Sequence, residues 1–356
     1  MALTHLVDKG RLFDEIAVNY SGAEATGIQI YRSQSKNLIM VARMLRDFSG
    51  ANVLDVACGF GITALAVAGH GPASITSIDP SGTLTDLAKL IMQSDEDISA
   101  WYERHDGRQL LGQSFQRTVN YITALRHGFR EHLFFQQSRP ISILKTGLME
   151  FAPQRTYDIV VMNNALHWVV TQIRQQKTDP NAPETIRAAL VEALQKVRGL
   201  LNSGGLFVFL SPKIFIEFEE PELEAHFTAH AFQNHSIIKK LNTTIRDIFE
   251  TELGIVRKTG APPPFIYHHR EMPQVAQESG FRLVRTVHLE ETFLPPNVLE
   301  YFQLLIPINL GDIEVPMAEK VRVVDKAAAR IRSEISALPE NRYIYDHHHI
   351  FALVAE

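Results

Sequence analysis

Short apolar runs alternate with helical patterns along much of the chain. Residues 35–47, SKNLIMVARMLRD, carry apolar positions at helical spacing, and NVLDVACGFG from Asn52 then reads as a buried strand ending in a glycine turn. ITALAVAG follows as a helix. SITSIDPSG, from Ser74 to Gly82, is a second strand stopping at Asp79 and Pro80, and TLTDLAKLIM is another helix, which completes a βαβ unit. ISILKTGLM from Ile141 and YDIVVMNNALHWV from Tyr157 predict strands three and four. TIRAALVEALQKVRGLL from Thr185 is an amphipathic helix, Gly204 and Gly205 make a turn, and LFVFLSP is the fifth strand. REMPQVAQESGFRLVRTVHLEE from Arg270 supplies a helix, a stop at Gly280 and a sixth strand, and YIYDHHHIFALVAE a seventh.

The pattern defines an α/β fold: a doubly wound, seven-stranded, mostly parallel sheet with helical insertions. Such sheets bind ligands in the crevice at the carboxyl ends of their strands. The core is assigned to residues 1–94 with 141–212, 270–294 and 343–356. The remaining segments, 95–140, 213–269 and 295–342, are expected to be helical and to form a cap, a substrate wall or an oligomer surface. The second and third leave from the carboxyl ends of strands five and six, so they should overhang the crevice. The first follows the helix after strand two, which places it on the other side unless that helix turns back. Subunit contact, as in a homodimer, and substrate contact are both open to it.

Composition adds exclusions. A chain of 356 residues, 45% hydrophobic and 21% charged, is ample to bury a core without metals or disulfides. Its formal net charge of −5 leaves no basic excess to neutralise phosphates, so no nucleic-acid partner is expected. Cys58 is the single cysteine, which excludes an internal disulfide and suits a reducing compartment. The opening stretch MALTHLVDKGRLFDEIAVNY is broken by charges and is no secretory signal. No uncharged apolar run approaches the roughly 20 residues of a membrane span. A cytoplasmic protein is the expectation.

The chemistry concentrates in Val53-Leu54-Asp55-Val56-Ala57-Cys58-Gly59-Phe60-Gly61 and in a second acid, Asp79, ending the next strand. Together they resemble the class I S-adenosylmethionine-dependent methyltransferases of small-molecule type, which implies a Rossmann-like methyltransferase fold and S-adenosyl-L-methionine as cofactor. Gly59 and Gly61 let the backbone approach a ligand where a Cβ would clash. Asp55 then holds the ligand's ammonium group directly or through water, and Asp79 accepts both ribose hydroxyls. Ala57, Pro80 and Asn163 complete the expected cofactor set. A nicotinamide-binding unit would place glycine at Asp55 or Ala57 and a third glycine where Ala64 stands.

The resemblance extends over the core strands only. Asp158 opens the fourth-strand motif and Asn163 begins the loop facing methyl donor and acceptor. LNSGGLFVFLSP and ESGFRLVRTVHL are similar to the fifth- and sixth-strand signatures. One departure stands out: where many members carry an adenine-binding Asp after strand three, this chain has Thr146, Gly147, Leu148 and Met149. Adenine is then read by backbone and apolar contacts, or strand three lies elsewhere. Ala-Leu-His-Trp at 165–168 is similar to methyltransferases that esterify carboxylic acids such as trans-aconitate.

Methyl transfer is an in-line displacement that depends chiefly on positioning, and a base is needed only for a protonated acceptor. His167, after strand four, is the candidate base, with a hydrogen-bonded structural role as the alternative. Tyr20 lies in a segment that folds over the cofactor in similar enzymes, and its hydroxyl would meet donor or acceptor; simple packing is its alternative. Trp168, Tyr31 and Gln34 are lesser candidates. No metal is expected, because adjacent strand histidines point to opposite faces. His268 with His269, and His347, His348 and His349 with Asp346, would need help from other segments to hold one. The acids around Pro221 read as solvated, and the prolines at 262–264 as a rigid linker.

The expected function is methyl transfer to a small molecule, a carboxylic acid or a specialised metabolite. Two rivals remain: a protein of this fold that keeps the cofactor without transferring its methyl group, such as a cyclase, and a nicotinamide-dependent oxidoreductase.

Overall fold

The computed structural model describes residues 9–26, 30–180, 182–212, 216–217, 240–255, 267–268, 271–293, 299–300, 303–304, 315–336 and 344–356. All seven predicted strands are present: β1 (Asn52–Val56), β2 (Ser74–Asp79), β3 (Ile141–Lys145), β4 (Tyr157–Asn163), β5 (Leu201–Pro212), β8 (Phe281–Phe293) and β9 (Ile344–Ala355). Two short strands, β6 (Ile216–Glu217) and β7 (Tyr267–His268), pair only with each other. The seven form one sheet in the order β3-β2-β1-β4-β5-β9-β8. The first five run parallel, while β9 is antiparallel to both β5 and β8. The order reverses direction between β1 and β4, which opens the crevice at their carboxyl ends.

Alternation along the strands splits the apolar residues between two layers. Val53, Ile159, Val161, Leu206 and Val208 face one core, and Leu54, Val160, Met162, Phe207 and Phe209 face the other. Burial on both sides is why these strands read as continuous apolar runs. The first core is covered by α1 (Lys9–Ala25), α2 (Ile30–Arg43), α3 (Ile62–Ala68) and α4 (Gly82–Met92). The second is covered by α9 (Leu166–Arg174), α10 (Pro183–Leu200) and α11 (Met272–Glu278).

The predicted turn at Gly204 and Gly205 proves to be an irregularity inside β5. Leu201 pairs with Tyr157 and Leu206 already with Ile159, so the intervening residues bulge, with Gly204 at φ +70°. Asp158, between those two register points, accepts the Asn52 amide (2.9 Å) and the Asn202 side chain (2.9 Å), at the end of the sheet remote from the crevice.

The first insertion does turn back. It forms α5 (Ile98–Arg104), α6 (Gly107–Leu111), α7 (Phe115–Glu131) and α8 (Leu133–Gln136), and α7 packs against both α1 and α4. The Tyr102 hydroxyl of α5 donates to Ser21 of α1 at 2.8 Å. In the other two insertions, residues 240–252 and α12 (Met317–Ser336) are helical and share a third apolar cluster with Leu299. Glu252 pairs with Lys326 and Arg330 across that contact. Among the described residues, no helix is long and apolar enough to cross a membrane.

Candidate active site

The crevice is built where β1 and β2 end. β1 runs into a tight turn in which Ala57, Gly59 and Gly61 all take positive φ, at +54°, +55° and +93°. The Cys58 amide donates to Ile78 O at 3.0 Å and the Gly61 amide to Cys58 O at 2.9 Å, so the turn is pinned to β2. The two glycines have different reasons. A Cβ on Gly59 would meet Tyr20 at an ordinary 3.7 Å, whereas one on Gly61 would collide with the Met92 methyl group of α4. Helix packing, in addition to backbone conformation, therefore demands glycine at 61.

Asp55 shares the face of Val53, beneath the start of α3. It is 1% exposed, and among the described residues no side chain hydrogen-bonds either carboxylate oxygen. Burial drives its carboxyl well above the usual range, and the nearby charge of Asp79 drives it further, offset in part by the Ala64 amide. Asp79 is also buried, but its oxygens accept the backbone amides of Gly59 and Ser81, both at 2.9 Å. Burial raises it to about 6 against the pull of those two amides, with Asp14 adding to the rise. Each Asp79 oxygen retains a lone pair for a further donor. Two buried acids thus lie side by side, and burial disfavours the charged form of each. Pro80 is half-buried beside Asp79.

Helix α1 lies over this turn and is fastened at both ends. Asp14 accepts the Ser81 hydroxyl (2.7 Å) and the Thr83 amide (2.8 Å) at the start of α4. Glu24, fully buried, accepts the amides of Tyr31 (3.0 Å) and Arg32 (3.2 Å) in the first turn of α2, and the Tyr121 hydroxyl (3.2 Å). Carboxylates at two helix N-termini take up orphan N–H groups and meet the positive ends of the helix dipoles. Neither acid announced this role in the sequence, because the partners of Asp14 lie 67 and 69 residues away and those of Glu24 lie 7, 8 and 97 residues away on other elements.

Tyr20 belongs to an aromatic chain. Its ring is 4.8 Å from Tyr31, meets Phe60 edge-on at 5.7 Å, and lies 6.4 Å from Phe13. Phe13 in turn meets Trp168 edge-on at 5.5 Å, and Trp168 lies 4.9 Å from His167. The two expected catalytic residues thus flank one aromatic wall. Burial, followed by the neighbouring Tyr31, holds the Tyr20 hydroxyl well above its ordinary value, so it stays protonated. His167 is buried in the first turn of α9.

Asn163 turns its amide toward α2: Nδ2 donates to Ser35 Oγ at 3.0 Å, and Ser35 bonds Thr63 at 2.9 Å. Its Oδ1 is buried with no partner. Gln34 Nε2 sits 3.0 Å from His348 Nε2. The His349 ring lies tilted against His288 at 4.9 Å, on the opposite face of β9 from His348. Among the described residues, no three of His, Cys, Asp and Glu gather as a metal site. His268 lies in β7; His269, the acids from 219 to 224 and the prolines at 262–264 lie outside the described residues. β3 is where the sequence put it, in parallel register with β2, and Thr146 N donates to Asp79 O at 2.9 Å.

Residues 31–252 match the model of the methyltransferase-domain family. The match spans more than half the chain and includes every element of the crevice except α1: the chain belongs to this family of methyltransferases, of class I. No curated protein matches it. Among solved structures, it is similar to an S-adenosylmethionine-dependent methyltransferase from Thiobacillus denitrificans in complex with S-adenosyl-L-homocysteine, at 15% identity and TM-score 0.42, covering 90% of each chain. It is also similar to a cyclopropane synthase from Mycobacterium tuberculosis, at 12% identity and TM-score 0.44, covering 89% of this chain and 82% of the other.

Proposed function

We propose that the protein transfers the methyl group of S-adenosyl-L-methionine to a small-molecule acceptor. The observation that carries this reading is Asp55, a buried carboxyl that no side chain pairs with among the described residues. Such a group is costly unless a cation meets it, and the cofactor's ammonium is that cation. Asp79 accepts the two ribose hydroxyls with its remaining lone pairs. The backbone of Ala57, Gly59 and Gly61 receives the amino-acid tail, and Pro80 and Asn163 border the nucleoside. A pyrophosphate would bring negative charge against two buried acids, which disfavours a nicotinamide dinucleotide.

When bound, the cofactor supplies an electrophilic methyl carbon, so the protein's task is alignment and exclusion of water. The fastened helix α1 excludes water above the turn. Tyr20 orients donor or acceptor through a hydroxyl that stays protonated, and His167 takes the acceptor's proton at an imidazole nitrogen where one must leave. Trp168 and Phe13 give the acceptor an apolar wall. A crevice covered by α1 suits a small, partly apolar acceptor.

Calorimetric titration with S-adenosylmethionine, S-adenosylhomocysteine and NADH tests the reading. Binding of the first two alone is expected, and binding of NADH alone would overturn it.

A further inference from the structure

The charged form of Asp55 is poorly provided for. Among the described residues, its relief is the Ala64 amide of α3, and the charge acting on it is that of another acid, Asp79. Its surroundings add no cation. Ser35, Thr63 and Asn163 share its face of the sheet and are neutral. In the turn above, burial and then the charges of Asp79 and Asp55 keep the Cys58 thiol protonated. Helix α1 brings Asp14 to the start of α4, Glu24 to the start of α2, and between them the protonated Tyr20 hydroxyl. Lys145, the register partner of Asp79 on β3, is exposed, with its ammonium over Gly82.

The two acids are not equivalent. Amides of Gly59 and Ser81 meet the two oxygens of Asp79 at 2.9 Å each, and such bonds favour a carboxylate. Asp55 has a single amide for the same burial. When two buried carboxyls act on one another, the protons leave in separate steps, and the acid with fewer donors keeps its proton longer. That acid is Asp55.

We propose that the protein without ligand carries a proton on Asp55, that the cofactor's ammonium displaces it, and that donor binding is thereby coupled to proton release. This rests on the methyltransferase reading. The Asp55 O–H bond breaks, its proton passes to the solvent buffer, and the oxygen that held it accepts an N–H of the ammonium, which keeps its own protons. A charge then appears in the buried site only when a cation is there to meet it. Below the pH at which Asp55 ionises in the unliganded protein, one proton must leave for each cofactor bound. Affinity there falls about tenfold for each unit of acidification. A ligand that keeps the nucleoside and lacks the amino-acid tail engages Asp79 alone and escapes this dependence.

Calorimetric titration of the full-length protein at pH 6.5, where the ligand amine is charged, counts the released protons when it is repeated in buffers of different ionisation enthalpy. The ligands are S-adenosylhomocysteine and 5′-methylthioadenosine, which lacks the amino-acid tail, and the proteins are the wild type and Asp55→Asn. Asp79 acts on both ligands, so the difference between them isolates Asp55. From the wild type, S-adenosylhomocysteine should release about one proton more than methylthioadenosine, and in Asp55→Asn the difference should vanish. Between pH 5.5 and 7, wild-type affinity for S-adenosylhomocysteine should also rise more steeply than that for methylthioadenosine, by about tenfold per unit. Equal proton release by the two ligands from the wild type, or parallel pH profiles, would overturn the proposal whether or not the variant folds. A difference that persists in Asp55→Asn would overturn it too, because the proton then comes from another group. Failure of S-adenosylhomocysteine to bind the wild type would instead overturn the methyltransferase reading.

Discussion

Asp55→Asn separates what the buried acid costs the fold from what it gives the ligand. Burial with only two backbone amides as relief moves Asp79 from the ordinary range to about 6, a penalty of about 3 kcal/mol for its charged form. Asp55 is raised in the same direction with only the Ala64 amide as relief. For a carboxyl raised in the folded state, the native protein holds a proton that the unfolded chain has released. Stability is therefore lost as pH rises from about 4 through the folded value, and stays lost above it. Asparagine removes the charge, so Asp55→Asn should melt above the wild type at pH 8, with the gap narrowing toward pH 5. At roughly 1–2 °C per kcal/mol for a chain of this size, the difference is a few degrees. Affinity should move the other way. A charge-assisted hydrogen bond to an ammonium contributes about 1.5–3 kcal/mol, so S-adenosylhomocysteine should bind about 10- to 150-fold more weakly. Differential scanning fluorimetry across pH, paired with calorimetry, reads both. A variant that melts lower than the wild type at pH 8, or binds the ligand as tightly, would refute the reasoning.

Three further outcomes follow from the crevice. Asp79→Ala deletes the ribose acceptor and should weaken S-adenosylhomocysteine at least about 100-fold by calorimetry, with the circular dichroism spectrum unchanged. Gly61→Ala places a side chain at φ +93° and against Met92, and should cost about 1–3 kcal/mol in chemical denaturation. Pairing it with Met92→Ala should recover only the steric share. His167→Ala should lower turnover by about 10²- to 10⁴-fold while ligand affinity holds, and full activity would remove it from the mechanism.

The sheet was legible because its strands are buried on both faces and punctuated by Gly59, Asp79, Pro80 and Gly280, local signals that need no knowledge of neighbours. The same local logic misread Gly204 and Gly205 as a turn between helix and strand. Their bulge inside β5 is defined by pairing with Tyr157 and Ile159, which no local pattern encodes. Of the site, Asp55 and Asp79 were readable from their places at strand ends. Asp14 and Glu24 were not, since on α1 they look like the ordinary polar positions of an amphipathic helix. Only the packing of α7 and the first turns of α2 and α4 against that helix turns them inward. Asn163 was placed by its strand end, yet its bond to Ser35 depends on how α2 crosses β4.

The position of β9 between β5 and β8 bears on how the molecule is assembled. Among the described residues, 344–355 form the only link in the sheet between β8 and the parallel strands, pairing with β5 on one side and β8 on the other. During synthesis, β5 and β8 both wait with an open edge while the fifty residues between β8 and β9 are made. Pairings of such long separation close slowly, and unpaired apolar edges invite association with other chains. This late strand is thus the keystone of the sheet, and a nascent chain halted before Ile344 holds a crevice whose floor is still unfinished on one side.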